Sequence, residues 1–409
     1  MWRQPPPLVD PAGRQWHSDG LRTMFLLRLL LKNAFRHRLR TLLTVLGLVV
    51  AISAFGLLRT IVDAWYAGVE ASSSTRLIVR SATSLTVPLP MSYAQRLRAI
   101  DGVTGVSWSN WFGGVYVTER NFFPQFAVDG PSYLALYPEF VLKDDERLAW
   151  LRDRQGVVVG RKLADKFGWK IGDTIPLRGT IYPGTWTFTL RAIYDGADAS
   201  VDQNQMLMHW AYLNETTRAR SRGRMGDHVG VYVVGIRDPA NAGLISQRID
   251  EQFRNSLAET LTETEKAFQL GFVAMSEAIL VALQAVSSII VIIIMAVMAN
   301  TMTMTARERL AEYATLKALG FPPGFVVRLL FGESLLIAAI GGALGLLLTL
   351  PLAAAFSNLA GTLFPVFRVS GSTMLLQAGA ALLVGAVAAL WPAWKMSRID
   401  IVAGLRHVA

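Results

Sequence analysis

Four long uncharged apolar stretches limit what this chain can fold into. They run over Thr41–Leu58, Ala278–Ala306, Ser334–Phe367 and Val369–Trp394. A helix of about 18 residues or more, rising 1.5 Å per residue, can cross a hydrocarbon core of about 30 Å. With 52% hydrophobic and 17% charged residues, the 409-residue chain is too apolar for an ordinary soluble protein. The sequence therefore predicts an integral membrane α-helical protein with four transmembrane helices.

The basic residues are distributed unevenly along the chain. Residues 63–277 carry a net charge of −1 (23 basic minus 24 acidic), residues 1–62 carry +7 (9 minus 2), and residues 278–409 carry +4 (8 minus 4). Basic residues beside membrane helices favour the cytoplasmic side. We therefore expect both termini to be cytoplasmic and residues 63–277 to lie outside. This distribution excludes a nucleic-acid partner.

These patterns divide the chain into ten segments. The first transmembrane helix has no site typical of signal-peptide cleavage, and Met24 is an alternative start to the chain. We predict a disordered amino terminus (1–24), a cytoplasmic amphipathic helix (25–40), transmembrane helices at 41–62, 278–305, 325–356 and 372–394, a periplasmic domain (63–277), a cytoplasmic coupling helix (306–321), a short periplasmic loop (357–371) and a cytoplasmic tail (395–409).

The large segment between the first two spans is predicted to be a mixed α/β domain. TRLIVR at 75–80 and WTFTLRAI at 186–193 have the β-branched or alternating pattern of strands, and GVVVGRKLADKFGWKIGDTIPL indicates strand, helix, turn and strand. We expect a split α/β subdomain with a β-rich subdomain inserted into it. The chain contains no cysteine, so the domain is stabilised without disulfides.

Two stalk helices are predicted to connect this domain to the membrane. Ile249, Phe253, Leu257 and Leu261 recur every four residues, and no proline follows before the second span. A continuous helix from 249 to 304 would be roughly 80 Å long, so residues 249–277 would project from the membrane. The first span is expected to continue outward in the same way through residues 63–74.

The sequence lacks the motifs of several functional classes. It contains no G-x-x-x-x-G-K-[ST] motif, no metal-binding histidine spacing and no nucleophile with a matched base. We therefore expect no catalytic residues, no metal site and no cofactor bound by this chain. The middles of the spans carry no ionisable residue, which disfavours a conduction path. We interpret Gln284 and Gln377 as interhelical hydrogen-bond donors or acceptors.

Small residues recur four apart in three of the spans. Such pairs allow helix backbones to approach closely, and we interpret them as packing sites between subunits. They are Gly47 with Ala51, Gly341 with Gly345, and Ala381 with Gly385.

The segment ARERLAEYATLKALGFPP at 306–323 has mixed charge and helical composition although it connects two apolar spans. Leu310, Tyr313, Ala314 and Phe321 share one side of the predicted helix. Gly320 is placed to end it, and Pro322-Pro323 cannot continue it. Two readings remain open, a helix that docks a partner and a plain cytoplasmic connection.

This segment and its surroundings resemble a known family. Glu308-Arg309, Glu312, LKALG at 316–320, ESLL at 333–336 and the Gly341-Gly342 to Gly345 helix resemble the carboxyl-terminal signature of MacB/FtsX-like permeases of type VII ABC transporters. NAFRHRLRTLLTVLGLVVAISAFG is similar to the first span of that family. WPAWKMSRIDIVAGLR is similar to its closing motif, with Ile401 where the family usually has proline.

The resemblance implies a stand-alone permease without a fused ATPase domain, located in the bacterial inner membrane. It implies a homodimer with two copies of a cytoplasmic ATPase that binds ATP and magnesium. Mechanotransmission through the membrane would export or extract a lipid-linked, lipoprotein, peptide or drug-like substrate, with a periplasmic adaptor and membrane lipid as further partners. The alternative is an FtsX-like signalling protein that activates a cell-wall hydrolase. The expected ATPase contacts are Arg307, Glu308, Arg309, Glu312, Tyr313, Leu316, Lys317 and Gly320.

Overall fold

A computed structural model describes residues 30, 32–360, 364 and 366–398. These residues form two units. The membrane unit contains the chain up to Thr60, Val281–Ala355 and the chain from Val369. The α/β unit contains Ile61–Leu280 and Phe356–Arg368. The predicted disordered segment 1–24 lies outside the described residues, as does the tail beyond Arg398.

Within the described residues, four helices are long and apolar enough to cross a membrane, and the protein is a multi-pass membrane protein. The first, α1, extends without a break beyond the predicted end of the span at residue 62. Its 34 residues measure about 51 Å, which is longer than a hydrocarbon core of about 30 Å. The four helices are α1 (Arg38–Ala71), α9 (Glu277–Glu308), α11 (Pro323–Ala360) and α12 (Gly371–Ser397).

The amphipathic helix predicted over 25–40 is interrupted before α1. Residues 32–34 are helical and residues 35–37 form a turn, whereas residues 25–29 and 31 lie outside the described part of the chain. The hydroxyl of Thr41 donates to the carbonyl of Ala34 across this turn, and the Arg36 N–H donates to the carbonyl of Asn33 at 3.2 Å. These local bonds replace the helical ladder that a continuous helix would need.

The α/β unit contains one large mixed sheet with helices. Its strands are β1 (Arg76–Ser81), β2 (Leu89–Pro90), β3 (Val103–Trp111), β4 (Gly114–Val115), β5 (Gln125–Val128), β6 (Phe140–Val141), β7 (Gly156–Gly160), β8 (Thr174–Gly179), β9 (Gly184–Gly196), β10 (Met206–His209), β11 (His228–Val229), β12 (Val231–Ile236) and β13 (Thr260–Thr264). Its helices are α2 (Tyr93–Arg98), α3 (Gly130–Leu136), α4 (Asp144–Arg152), α5 (Arg161–Phe167), α6 (Trp210–Arg220), α7 (Ala242–Gln252) and α8 (Glu265–Met275).

The strand order confirms the predicted split of this domain. The order is β13-β1-β12-β3-β5-β10-β7-β9-β8-β4, with β6 beside β9, and β11 pairs with β2 separately. Strands from the two ends of the segment, β13, β1, β12 and β3, occupy one half of the sheet. The inserted strands β4 to β10 occupy the other half, where β5 with β10 and β7 with β9 run parallel. The inserted subdomain therefore continues the same sheet and does not form a separate one.

Each half of the sheet has its own buried core. Trp186, Phe188 and Phe112 are fully buried in the core of the inserted half, and Tyr232 and Phe253 are fully buried in the core of the other half. The inserted strand β9 alternates buried large residues with exposed threonines, as a half-buried strand should.

The predicted stalk helix over 249–277 is wrong. Ile249 lies on α7 and Phe253 caps its end, whereas Leu257 lies in a turn and is 93% exposed, and Leu261 lies on β13. The carboxylate of Asp250 accepts hydrogen bonds from both the hydroxyl and the N–H of Thr262, at 2.7 and 3.0 Å. These bonds hold β13 beside α7, so the chain reverses where the sequence pattern predicted a rod.

Candidate functional site

The segment between α9 and α11 forms a short helical hairpin rather than the predicted single helix over 306–321. The helix α9 continues to Glu308, Arg309 departs from helical geometry (φ −100°, ψ 15°), and α10 spans Leu310–Ala318. Gly320 has φ +91°, a left-handed conformation that favours glycine, and it ends the segment as predicted. Pro323 begins α11, where its missing N–H costs nothing.

The acidic residues of the hairpin are bonded within the chain. Both carboxylate oxygens of Glu308 accept from the guanidinium of Arg40, at 2.7 and 2.8 Å. Glu312 pairs with Arg36 and accepts from Arg309 at 3.0 Å. Burial alone would raise the pKa of Glu312, but the hydrogen bonds from Arg36 and Arg309 hold this pKa below its usual value. These carboxylates therefore tie the hairpin to the beginning of α1.

A buried ion pair ties the hairpin to α11. Arg309 donates from Nη1 to Oε2 of Glu333 at 3.0 Å, and these residues are 7% and 2% exposed. The Arg309 guanidinium lies 5.4 Å from the ring centroid of Tyr313, which is 2% exposed. Arg309 and Tyr313 are therefore internal, and the prediction that they contact a partner is wrong. Their side chains fill the space between α10 and α11.

A third connection joins α10 to the end of α12. The Nζ of Lys317 donates to the carbonyl of Ser397 at 2.8 Å, and Leu316 packs against the core of the membrane unit. A partner contact by Arg307, Glu308, Glu312, Leu316, Lys317 or Gly320 stays a prediction.

The solvent-exposed end of the hairpin is apolar. Leu319 is 71% exposed and Phe321 is 42% exposed, with Pro322, Pro323 and Gly324 also exposed beside them. We call residues 318–324 the hairpin tip. Sequence reasoning missed Leu319 and Phe321 as contact residues, although an apolar Leu-Gly-Phe-Pro-Pro run between charged residues was a usable signal.

The small residues of the spans pack within the chain. A Cβ on Gly341 would lie 2.6 Å from Cβ of Leu48, and a Cβ on Gly345 would lie 2.9 Å from Cβ of Ile52. The same close approach occurs between Gly385 and Ala338 (2.6 Å), Gly342 and Ala381 (2.5 Å), and less tightly between Gly47 and Ile294 (3.3 Å), and Ala51 is buried. Our interpretation of these six residues as packing sites between subunits is therefore corrected, because their contacts join α1, α9, α11 and α12 of one chain.

The two intramembrane glutamines differ. Gln377 is fully buried, and its Nε2 donates to the carbonyl of Ile52 at 2.9 Å and to the hydroxyl of Thr349 at 2.7 Å. It forms the predicted interhelical bond and joins α12 to α1 and α11. Gln284 is exposed on α9, and its predicted interhelical hydrogen bond stays a prediction.

We predict that Gly385→Ala destabilises the membrane unit by about 1–3 kcal/mol, because the new methyl overlaps Ala338 and the α11 backbone. Gly379 is the matched control, since it lies on the same helix and a methyl added to it would meet nothing within 4 Å. Gly379→Ala should be neutral or stabilising. Thermal unfolding in detergent measures both variants, and equal unfolding temperatures would contradict the packing described above.

The α/β unit contains a buried ion cluster that sequence reasoning missed. Arg76 donates from Nε to Oε2 of Glu265 at 2.8 Å and from Nη2 to Oε1 of Glu139 at 2.7 Å. Glu265 also accepts from the N–H of Ser73 at 2.8 Å and from the hydroxyl of Tyr137 at 3.1 Å. We call these residues the clasp. It joins the segment that follows α1 to the first residue of α8, which leads into α9.

Among the described residues, no group of three or more His, Cys, Asp or Glu side chains is arranged to hold a metal ion.

Two protein-family models match this chain, and both describe parts of membrane permeases. Residues 41–252, more than half of the chain, match the family model described as the MacB-like periplasmic core domain. Residues 285–401 match the model described as the FtsX-like permease C-terminal region.

Three curated relatives are similar to the chain. A Mycobacterium tuberculosis protein named as an ABC transporter permease is 30% identical over 193 residues, which cover 47% of this chain and 21% of the relative. The macrolide export ATP-binding/permease protein MacB of Sodalis glossinidius is 34% identical over 110 residues, covering 26% of this chain and 16% of that protein. A Methanocaldococcus jannaschii protein named as an ABC transporter permease is 23% identical over 400 residues, covering 92% and 96%. The chain thus spans less than a quarter of the length of the first two.

Proposed function

The chain belongs to the MacB/FtsX-like family of ABC transporter permeases, and from this membership we propose that it couples ATP hydrolysis in a separate cytoplasmic ATPase to movement of its α/β unit. In this proposal the hairpin and both termini are cytoplasmic, the membrane is a bacterial inner membrane, and the α/β unit is periplasmic. Two copies of the permease act with two ATPase subunits. No P-loop occurs in this sequence, and in the proposal ATP and magnesium bind to the partner.

The observation that carries the proposal is the exposed apolar hairpin tip. Leu319 and Phe321 project from a segment whose charged residues are mostly paired internally. A protein interface is richest in apolar and aromatic residues at its centre. The hairpin tip therefore suits a partner protein, and the plain-connection reading does not account for its exposed leucine and phenylalanine.

The connections behind the hairpin tip support transmission of movement. Glu308 and Glu312 bond to Arg40 and Arg36, Arg309 bonds to Glu333 of α11, and Lys317 bonds to the end of α12. A displacement of α10 would therefore act on three membrane helices together. Of these, α1 continues as one helix to Ala71. In the proposed mechanism these links carry the closing motion of the ATPase pair outward.

The substrate class that we propose is a lipid-linked, lipoprotein, peptide or drug-like molecule, extracted or exported on the periplasmic side with an adaptor protein. The middles of the spans carry no ionisable residue, which agrees with transport that does not pass through this permease.

We expect Leu319→Glu to remove most of the ATPase that co-purifies with the protein, because a buried carboxylate at an interface centre costs several kcal/mol. The matched control is Leu257→Glu, at a 93% exposed leucine of the α/β unit. Purification from native membranes in mild detergent, followed by mass spectrometry, measures the retained ATPase. An adaptor among the co-purifying chains would favour export, and a cell-wall hydrolase would favour signalling. Equal ATPase retention by both variants would contradict the assignment of the hairpin tip.

A further inference from the structure

A groove of 640 Å³ lies on the membrane unit between the beginning of α1 and the last third of α9. Its apolar walls include Leu39 and Leu43 of α1, which are 71% and 59% exposed, and Val297 of α9. Exposed apolar walls of this kind need a hydrocarbon or protein occupant. The groove is separate from the hairpin tip and from the clasp.

One end of the groove is basic. His37, Arg38 and Arg40 line it, and two of them are already engaged by Glu308, at 3.6 Å from His37 and 2.7 Å from Arg40. Arg38 is exposed and has no ion pair with any residue that the structure describes. An anionic group at this end would therefore meet one positive charge that no described residue compensates.

Val297, the groove residue of α9 that lies farthest from Glu308, is about one leaflet's depth from it. Arg40 lies level with Glu308, because their side chains form a bidentate pair. Val297 precedes Glu308 by eleven residues (308 minus 297), which is about 16 Å along a helix. Half of a 30 Å hydrocarbon core is about 15 Å. A molecule with its charge at Arg38 would thus reach to the middle of the membrane beside Val297.

We propose that this groove binds an anionic phospholipid of the cytoplasmic leaflet, with the phosphate at Arg38 and an acyl chain along Leu39, Leu43 and Val297. The leaflet follows from the proposed orientation of the permease. A guanidinium is a strong partner for phosphate oxygens. A second copy docked symmetrically on the same groove would bring two Arg38 charges together, because a two-fold interface uses the same surface on both subunits. Charge complementarity therefore favours the lipid.

The test measures lipid retention by the full-length chain. Protein is reconstituted with phosphatidylglycerol and phosphatidylcholine of equal chain length, extracted in detergent, and analysed by native mass spectrometry. Arg38→Gln should retain about fivefold less phosphatidylglycerol, as expected for one basic residue at a membrane surface. Arg328→Gln removes an exposed arginine of α11 outside the groove and should retain wild-type amounts. Added inorganic phosphate should displace no bound phosphatidylglycerol, because phosphate lacks the acyl chain.

A second pair of variants tests the apolar wall. Leu43→Trp should fill the groove and lower phosphatidylglycerol retention, whereas Leu375→Trp, at a 76% exposed leucine of α12, should not. Equal retention of the two lipids by the wild type, or equal losses in Arg38→Gln and Arg328→Gln, would overturn the proposal. Displacement of phosphatidylglycerol by inorganic phosphate would show that the groove binds phosphate alone, and this would also overturn the lipid proposal. Disulfide cross-linking of Leu43→Cys between two copies, in a chain that has no other cysteine, would identify a second subunit as the occupant.

Failure of this proposal is distinguishable from failure of the proposed function. The lipid measurement needs no ATPase. Labelling of Thr315→Cys, an exposed position on α10, in sealed vesicles reports the orientation independently. A hairpin labelled from the periplasmic side would contradict the orientation and the proposed function, whereas a cytoplasmic hairpin with unselective lipid binding would contradict the lipid site alone.

Discussion

Replacing Arg76 with methionine should speed amide hydrogen exchange in β1 and β13 roughly 100- to 4,000-fold. Arg76 is 5% exposed, and its guanidinium holds Glu265 and Glu139 and also donates to the carbonyl of Leu136 at 2.9 Å. Its removal leaves two neighbouring carboxylates, of which that of Glu265 is buried, without their shared cation. Breaking a buried ion pair from one side costs about 3–5 kcal/mol, and each 1.4 kcal/mol is a factor of ten.

Arg154→Met is the matched control for this result. Arg154 pairs with Glu215, and both side chains are more than half exposed. Such surface pairs contribute about 0–1 kcal/mol, so exchange in β1 and β13 should change little. Both strands pair with each other, so the loss should appear in both. Exchange as slow in Arg76→Met as in Arg154→Met would show that the clasp does not stabilise this part of the sheet.

The second large effect is expected at the other buried pair. Arg309→Met should lower the free energy of unfolding of the membrane unit by about 3–5 kcal/mol, because Glu333 then stays buried without its partner. Replacing both residues, as Arg309→Met with Glu333→Leu, should recover most of this loss. Apolar residues of similar volume often replace a buried pair with little change in stability. Thermal unfolding in detergent gives the coupling between the two sites as a double-mutant cycle.

Arg307→Met is the control for the buried pair. Arg307 neighbours Arg309 but is exposed, so its replacement should leave the unfolding temperature within error of the wild type. A double variant no more stable than Arg309→Met alone would contradict the ion pair. In the proposed mechanism the double variant should also couple ATP hydrolysis poorly despite its recovered stability, because apolar contacts lack the directional bond between α10 and α11.

The membrane helices were predicted closely from the sequence. The second and fourth spans, predicted over 278–305 and 372–394, are Glu277–Glu308 and Gly371–Ser397. The reason is physical, since a bilayer demands about 20 uninterrupted apolar residues with all backbone groups bonded within the helix. The outward continuation of the first span was also predicted, over residues 63–74, and α1 extends to Ala71.

The stalk prediction failed because the apolar residues that recur every four positions belong to two different elements, the helix α7 and the strand β13. Ile249 and Phe253 are core residues of α7, whereas Leu261 alternates with buried Thr260 and Thr262 on β13. Between them Asn255 has φ +59°, a left-handed conformation that reverses the chain. The bonds from Asp250 to Thr260 and Thr262 that fix this reversal are not visible in a periodicity of apolar residues.

A helical segment within 306–321 was predicted from the sequence, whereas the exposure of its residues was not. The charged residues of 306–321 looked like a docking face, whereas Glu308 pairs with Arg40, which lies 268 residues away in the chain. Arg309 similarly turns inward to Glu333. Pairing at this sequence distance depends on the packing of α1 against α9, which no local pattern encodes. The internal pairing of these charged residues leaves Leu319 and Phe321 as the exposed apolar residues of the hairpin tip.

In the proposed mechanism, nucleotide binding by the partner ATPase moves the α/β unit of this permease. Because the chain has no cysteine, Leu257→Cys provides a single, exposed site for a spin label in that unit. Electron-spin distance measurements between the two copies should be made in the reconstituted complex, without nucleotide and with ATP under non-hydrolysing conditions. We expect the distance distribution to shift when ATP binds. Identical distributions in a complex whose ATPase is active would contradict it.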